Sequence, residues 1–479
     1  MKLIIENFGA IKKRITLEPK PLTIFCGENN TGKTYALYVL NALMDSRFVA
    51  SFEFSKKHAH ALFTTKTLAV SQSDWLGATA LQRVQSNLSE SLKSALQRFF
   101  VTDEDLLKDA NFEISVDAQR TLEKLNPDSK STVSKILRFG GVEDSPNAAS
   151  INCKFTESSQ ELIFTLKGEF ESQKEVESAL NRCLMRLYLP EQKGRDFLLP
   201  AERSGINLFF RELNSRRAAL LRHVTSQTLD TAELLKDIIV SRYPQPIHDY
   251  IEFMNSQPEI KREVSEFADL AEWLQKTVLK VKYKVDRYGD ISVAPLRSGT
   301  TVGLHLGSST VKTFFGLWSY LNHMARPGDW LMIDEPELNL HPQNQLAIAR
   351  LLAQLVNRGI SVVVSTHSDY MVRQWSNLVM LGARDFDGRD DLANQFDLPR
   401  AQWLKPEQIA AYEFSVGKAV SMDVNAESGI RTALFDVSIT QLNTAAQDIY
   451  FARQAAFNDD TDEPEVQILK PRQKKTLSK

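Results

Sequence analysis

The sequence predicts an α/β fold: a sheet core carrying a phosphate-binding loop, an antiparallel β segment at its N-terminus, and a large, mainly helical insertion. Three observations predict it. The apolar run PLTIFC leads straight into GENNTGKT, and Lys33 to Met44 follows with apolar residues at helical spacing. Two further apolar runs, WLMID and GISVVVSTHS, come late in the chain and have the continuous character of strands buried on both faces. Between these regions, residues 46–194 show mostly helical periodicity.

The elements follow in order. KLIIENF and AIKKRITLE read as short strands ahead of the loop strand. In the insertion, Leu81, Val84, Leu88, Leu92, Leu96 and Phe99 form one helical stripe, the mark of an amphipathic helix on a core. The stripe is too short for a coiled coil, which needs sustained heptads. SINCKF and ELIFTL, joined by TESSQ, read as a hairpin. Residues 206–280 are mostly helical in pattern, with a break at YPQPIH, and KVKYKVDRYGDISV alternates like a second hairpin. From Arg297 the pattern returns to α/β, with strand WLMID, a helix from Leu346 to Val356, and strand GISVVVSTHS. The alternating AVSMDV precedes a helix from Ile439 to Ala455. The last residues are acidic, then basic, and poor in apolar groups, as in a disordered tail. The resulting division is 1–45 and 297–456 for the two parts of the core, 46–194 for the insertion, 195–296 for an inter-lobe loop and helical lobe, and 457–479 for the tail.

Composition narrows the class. The 479 residues are 43% hydrophobic and 25% charged, as in globular proteins, with a net charge of -2. No apolar run is long enough to span a bilayer, and MKLIIENFGAIKK lacks the features of a signal peptide. A cytoplasmic protein is expected, with no membrane partner. Cys26, Cys153 and Cys183 are scattered and odd in number, which fits buried reduced thiols better than a disulfide framework or a metal site. No global basic field advertises nucleic acid, although a local basic surface stays open.

The chemistry concentrates in three motifs. In GENNTGKT, Gly27 and Gly32 let the backbone curl so that its N–H groups point at phosphate oxygens, with Asn29 and Asn30 inside the turn. Lys33 supplies a point charge for the β- and γ-phosphates of ATP, and Thr34 a hydroxyl for Mg²⁺. In WLMIDEP, Asp334 ends an apolar strand, where it can hold Mg²⁺ directly or through water, and Glu335 can polarise an attacking water. ELNLHP follows, carrying an acid, Asn339 and His341 into a new helix. In VVVSTHS, His367 falls at the C-terminal edge of a strand, where open α/β sheets bind ligands. Each motif has a plainer reading as a strand end or turn. Their combination favours a nucleotide site.

GENNTGKT, MIDEPELNLHP and STHS together resemble the ATP-binding-cassette (ABC) type of ATPase head. The likeness is greater to its OLD (overcoming-lysogenization-defect) and RecF-like branch, often called AAA15-type. It covers residues 1–45, roughly 195–205, and 297–450, and leaves out the insertion. The resemblance implies further site residues. Glu202 and Arg203, in FLLPAERSG, occupy the place of a glutamine in transport cassettes. Glu202 would reach the metal shell and Arg203 phosphate or a partner subunit, unless the two serve only a salt bridge between elements. LGSSTVKTFFGLWSYL occupies the place of the signature motif, so Ser308 and Ser309 would face the γ-phosphate on a second subunit, with ATP as glue between two chains. Thr310 stands where the signature glycine is expected, or that glycine is displaced to Gly307. Lys12, Lys13 and Arg14 lie where relatives bring basic groups near the adenine.

The resemblance also implies a role. Large OLD-type nucleases add a TOPRIM domain after the ATPase, and the residues after His367 resemble only the closing hairpin and helix. Asp385 to Asp391 (DFDGRDD), a dense carboxylate cluster, reads as a solvated loop rather than a nuclease centre. The expectation is an ATPase subunit without its own nuclease. It would build homo-oligomers from ATP-sandwich dimers and control a separately encoded nuclease or toxin in a prokaryotic anti-phage system of the PARIS, Septu or retron-linked type. DNA or a phage protein would be the trigger. A RecF-like DNA-repair ATPase and a structural ATP-binding module remain the alternatives.

Overall fold

The central sheet has six strands in the spatial order Lys418–Ser421, Ile409–Ser415, Leu22–Gly27, Ser361–Thr366, Trp330–Asp334 and Asp196–Leu199. The last five are mutually parallel, and Lys418–Ser421 closes one edge antiparallel to Ile409–Ser415. Leu22–Gly27 and Trp330–Asp334 are buried along their whole length. Covering on both faces explains why these strands read as unbroken apolar runs. Sequence order and spatial order differ. The N-terminal strand is threaded between two C-terminal ones, with Thr23 opposite both Val363 and Ala410. All five parallel strands therefore end at one sheet edge, which gathers residues distant in sequence.

In the computed structural model the described residues are 1–102, 104–125, 137–139, 149–156, 159–189, 194–212, 243–260, 263–297, 299–431 and 433–458. They divide into two units, Met1–Arg431 and Thr432–Lys479. In the first unit, Lys2–Glu6 pairs antiparallel with Ile15–Leu17 on one side and with Asn111–Ser115 on the other. Asn111–Ser115 comes from the insertion, so the insertion is stitched into the N-terminal β segment. An ion pair between Arg14 and Glu113, at 2.8 Å, reinforces the seam and commits the Arg14 side chain there.

The helix Ala78–Phe100 buries Val84, Leu88, Leu92, Leu96 and Phe99 as one stripe. These side chains share a continuous apolar core with Leu37, Leu40 and Phe25 of the loop strand and its helix. Ser150–Thr156 and Glu161–Lys167 form a hairpin, but as the middle of a four-stranded sheet completed by Thr67–Ser71 and Leu137–Phe139. Val281–Val285 and Ile291–Pro295 form the second hairpin. Much of the helical pattern expected for 206–280 falls at 213–242, outside the described residues; Gln245–Asn255 and Ala268–Leu274 are helices. All three cysteines are free and buried.

The second unit contains the helix Ala433–Asn458, which begins six residues before the expected Ile439 start. Most of the expected tail, 459–479, lies outside the described residues. Among the described residues, no helix is long and apolar enough to cross a membrane.

Candidate functional site

The loop between Leu22–Gly27 and the helix Lys33–Met44 depends on glycine at two positions. Gly27 has φ 134° and Gly32 has φ 101°. A β-carbon on Gly27 would run into the Phe414 carbonyl, and one on Gly32 would lie 2.6 Å from Ile11 Cγ1. Asn30 adopts φ 59°, a left-handed value that asparagine tolerates better than most residues. Thr31 Oγ1 donates to the Glu28 carbonyl at 2.8 Å and ties the turn together. Gly32 is the N-cap of the helix and has no side chain with which to cap it. The first-turn N–H groups and the positive end of the helix dipole therefore face the loop, an anion site by construction.

Lys33 is buried at 7% exposure, and its Nζ donates to the Gly27 and Glu28 carbonyls at 2.9 and 2.5 Å. Burial pulls its pKa down, and the charges of Glu335, Asp334 and Glu337 pull it back up. Thr34 Oγ1 donates to Asp334 Oδ1 at 3.2 Å. Ser365 Oγ donates to the same oxygen from the neighbouring strand end. Burial pushes the Asp334 carboxyl up to about 6; the bonds from Ser365 and Thr34 oppose that, and the charges of Glu335 and Glu202 add to it. A divalent cation would relieve this crowding of negative charge.

Glu335 occupies a left-handed conformation, φ 52°. Its N–H donates to the Ser365 carbonyl at 3.0 Å. Arg203, only 1% exposed, donates through Nη1 to the Pro200 carbonyl at 2.9 Å and the Asp334 carbonyl at 2.6 Å. Its Nη2 donates to the Glu335 carbonyl at 2.6 Å. Burial lowers the Arg203 pKa, with the charges of Tyr250, Asp334, Glu337 and Glu335 opposing. A phosphate or subunit contact was the expectation for Arg203; within this chain its guanidinium bonds to backbone carbonyls. Arg203 thereby ties the Asp334–Glu335 backbone to the segment that follows Asp196–Leu199.

His367 follows Ser361–Thr366 and is half-exposed, with Nδ1 3.2 Å from Glu337 Oε1 and 4.0 Å from Glu335 Oε1. Asn29 to Tyr35 face Asp334, Glu335 and Ser365 across a cavity of about 580 Å³. Glu202 is exposed at the head of the helix spanning 203–212, near enough for its charge to act on Asp334.

Ser308 and Ser309 are exposed and do not line this cavity. Ser308 caps the helix Ser309–His323 by accepting from the Val311 N–H at 3.3 Å. Thr310 Oγ1 donates to the Asn339 carbonyl at 2.7 Å, and Asn339 Nδ2 donates to Thr313 Oγ1 at 3.0 Å. His341 caps the helix Pro342–Asn357, its Nδ1 accepting from the Gln343 N–H. The backbone N–H groups of Lys12 and Lys13 bond to the Gly417 carbonyl at 3.2 and 2.7 Å, fastening this segment to the hairpin after Phe414.

Sequence reasoning did not single out Ser365 or Tyr35 and mentioned Glu337 only as an acid. A small hydroxyl at the end of a buried strand next to Asp334 is the signal that could have marked Ser365. Among the described residues no three His, Cys, Asp or Glu side chains form a ready metal site. Mg²⁺ does not require one, since it takes one or two protein oxygens together with phosphate oxygens and water. Thr34 and Asp334 suit that need.

The AAA_15 family, described as an AAA ATPase domain, matches residues 1–372. No curated protein matches. Among solved structures, an SMC head bound to the C-winged helix domain of ScpA is 11% identical, with 89% of this chain and 98% of that chain covered and a TM-score of 0.32. An Smc head with an extended coiled coil, bound to the C-terminal domain of ScpA from Pyrococcus furiosus, is 12% identical, with 93% and 98% covered and a TM-score of 0.29. The SMC head domain from Thermotoga maritima is 10% identical, with 88% and 98% covered and a TM-score of 0.27. With residues 1–372 of 479 matched, over a phosphate loop, an Asp-Glu strand end and a strand-end histidine that the fold brings together, the chain belongs to the AAA_15 family of AAA ATPase domains.

Proposed function

We propose that this chain binds ATP with Mg²⁺ and hydrolyses it slowly in a site completed by a second copy. The observation that carries the reading is the cavity in which Asn29 to Tyr35 face Asp334 and Glu335, with Thr34 bonded to Asp334 across 300 residues of sequence. The loop N–H groups and Lys33 would hold the phosphates, and Thr34 and Asp334 would hold Mg²⁺, with Glu202 in its outer shell. The metal supplies positive charge that polarises phosphoryl oxygens. Glu335 polarises the attacking water, from a backbone that Arg203 and Ser365 hold still. His367 provides a hydrogen bond at the rim.

The second copy enters because the Ser308–Ser309 helix start, a suitable anion site, is exposed and does not line the chain's own cavity. The Thr310–Asn339 bond ties that helix to the segment leaving Glu335, so closure of a dimer and the state of each site are linked. The Thr310 hydroxyl, already bonded where relatives carry glycine, supports slow turnover. On the resemblance of the core motifs, the role is that of a sensor or scaffold subunit of a prokaryotic anti-phage system, restraining a separately encoded nuclease or toxin.

The test is light scattering and turnover on Glu335→Gln with ATP and Mg²⁺. Trapped ATP and an ATP-dependent dimer or larger oligomer are expected, with hydrolysis reduced by about 10²-fold or more. Parental turnover by that variant removes Glu335 from the mechanism. ATP-dependent, salt-sensitive binding of duplex DNA with stimulated turnover would favour the repair reading over the scaffold.

A further inference from the structure

Glu337 is a buried carboxylate, 4% exposed, beside a half-exposed imidazole. Two donors converge on its Oε1, Thr366 Oγ1 at 2.8 Å and the His367 N–H at 2.7 Å, and His367 Nδ1 lies 3.2 Å from the same oxygen. The Thr366 hydroxyl is oriented by accepting from the Ser368 N–H at 3.0 Å, which leaves its own proton for Glu337. The second carboxylate oxygen, Oε2, is buried and has no hydrogen-bond partner among the described residues. A buried polar atom without a partner costs about 1–3 kcal/mol, and an apolar side chain of similar size would avoid that cost. A packing role does not call for a carboxylate here.

We propose that Glu337 is a positioning residue that fixes His367 as the Nδ1–H tautomer and leaves Nε2 as its free nitrogen. The inference rests on the reading of His367 as the rim hydrogen-bonding group of the ATP site. A carboxylate only accepts hydrogen bonds, so an imidazole nitrogen held 3.2 Å from it carries the proton; otherwise two lone pairs would face each other. The bond one ring nitrogen makes decides the state of the other. Glu335 does not set the tautomer, because its Oε1 is 4.0 Å from Nδ1, beyond hydrogen-bond distance. The two carboxylates thus divide the work. Glu335 remains available for water, and Glu337 orients the histidine. The Nε2 atom is a lone-pair acceptor when the ring is neutral and a donor when it is protonated, and the ring needs no rotation to switch between them.

The test begins without nucleotide. Nitrogen-15 spectra of histidine-labelled full chain, with the resonances of His367 among the eight histidines assigned by comparison with His367→Gln, report the tautomer directly. The expected result is Nδ1–H for neutral His367, changing to Nε2–H in Glu337→Leu. Nε2–H in the native chain overturns the proposal, and that measurement needs no variant that might misfold. An unchanged tautomer in folded Glu337→Leu also overturns it.

The second arm is a turnover cycle. Glu337→Leu should lower kcat about tenfold or more while changing KM less than about twofold. In a His367→Ala background the same change should cause no further loss. Additive losses would mean that Glu337 acts independently of His367 and would refute the positioning role. A native chain that shows the Nδ1–H tautomer but no ATP hydrolysis would remove the ATPase reading and leave the Glu337–His367 pairing intact.

Discussion

Arg203→Met removes the clamp on the Asp334–Glu335 backbone while keeping most of the buried stem volume. Three carbonyls lose a charged donor at 2.9, 2.6 and 2.6 Å. Hydrogen bonds to a charged group contribute about 1.5–3 kcal/mol each, so the gross loss is roughly 6 kcal/mol. Burying a guanidinium costs several kcal/mol that the variant no longer bears. The net destabilisation expected is about 3 kcal/mol, in the range for breaking a buried charged network. Urea unfolding measures it. The functional effect is more specific. Glu335 sits at φ 52°, a conformation that the surrounding bonds must hold in place. Turnover should therefore fall at least about tenfold, while nucleotide affinity changes little because the phosphate loop is not touched. A loss below about 1 kcal/mol together with parental turnover would refute the reasoning.

Two further substitutions test other parts of the structure. Asp196 is pushed up to about 6 from the ordinary 3.8, first by burial and then by the charge of Asp45. A raised carboxyl pKa means that the folded state resists ionisation. Stability is therefore unaffected at acid pH and is lost as pH rises from about 4 through about 6. Asp196→Asn should stabilise the chain by up to about 2 kcal/mol at pH 8, after a discount for partial exposure, and not at pH 3.5. Urea midpoints at the two pH values check the sign, and an equal effect at both would contradict it. Gly27→Ala forces a β-carbon into the Phe414 carbonyl at φ 134°, so it should abolish nucleotide binding or destabilise the central sheet by more than about 2 kcal/mol. Titration with a fluorescent ATP analogue, with circular dichroism as the folding control, distinguishes these outcomes; normal binding and stability would show that the loop tolerates the contact.

How much of this was legible in the sequence depends on how local each feature is. Leu22–Gly27, Trp330–Asp334 and Ser361–Thr366 were readable because strands covered on both faces must be apolar throughout. The helix Ala78–Phe100 was readable because one face of it meets the core. The pairing of Lys2–Glu6 with Asn111–Ser115 was not, since NFEIS has only two apolar residues and its partner lies about a hundred residues away. At the site, Gly27, Lys33, Thr34, Asp334 and Glu335 follow from motif chemistry that acts over a few residues. The setting of Arg203 was not legible, for the opposite reason. AERSG looks like a polar surface turn, and only the strand end packed over it makes the arginine a buried clamp. Glu337 likewise follows a proline in what looks like a solvated turn, and its environment is set by Thr366 and His367 on another strand end.

The measurement that bears most directly on the central claim is ATP binding by calorimetry with Mg²⁺, comparing the native chain with Lys33→Ala. Lys33 is the buried cation of the loop, held between the Gly27 and Glu28 carbonyls and the acids at the neighbouring strand ends. The account predicts saturable binding to the native chain and a loss of at least about 10²-fold in the variant, in line with the removal of one buried, charge-assisted phosphate contact. Equal affinity in the two proteins, or no binding to the native chain, would contradict it.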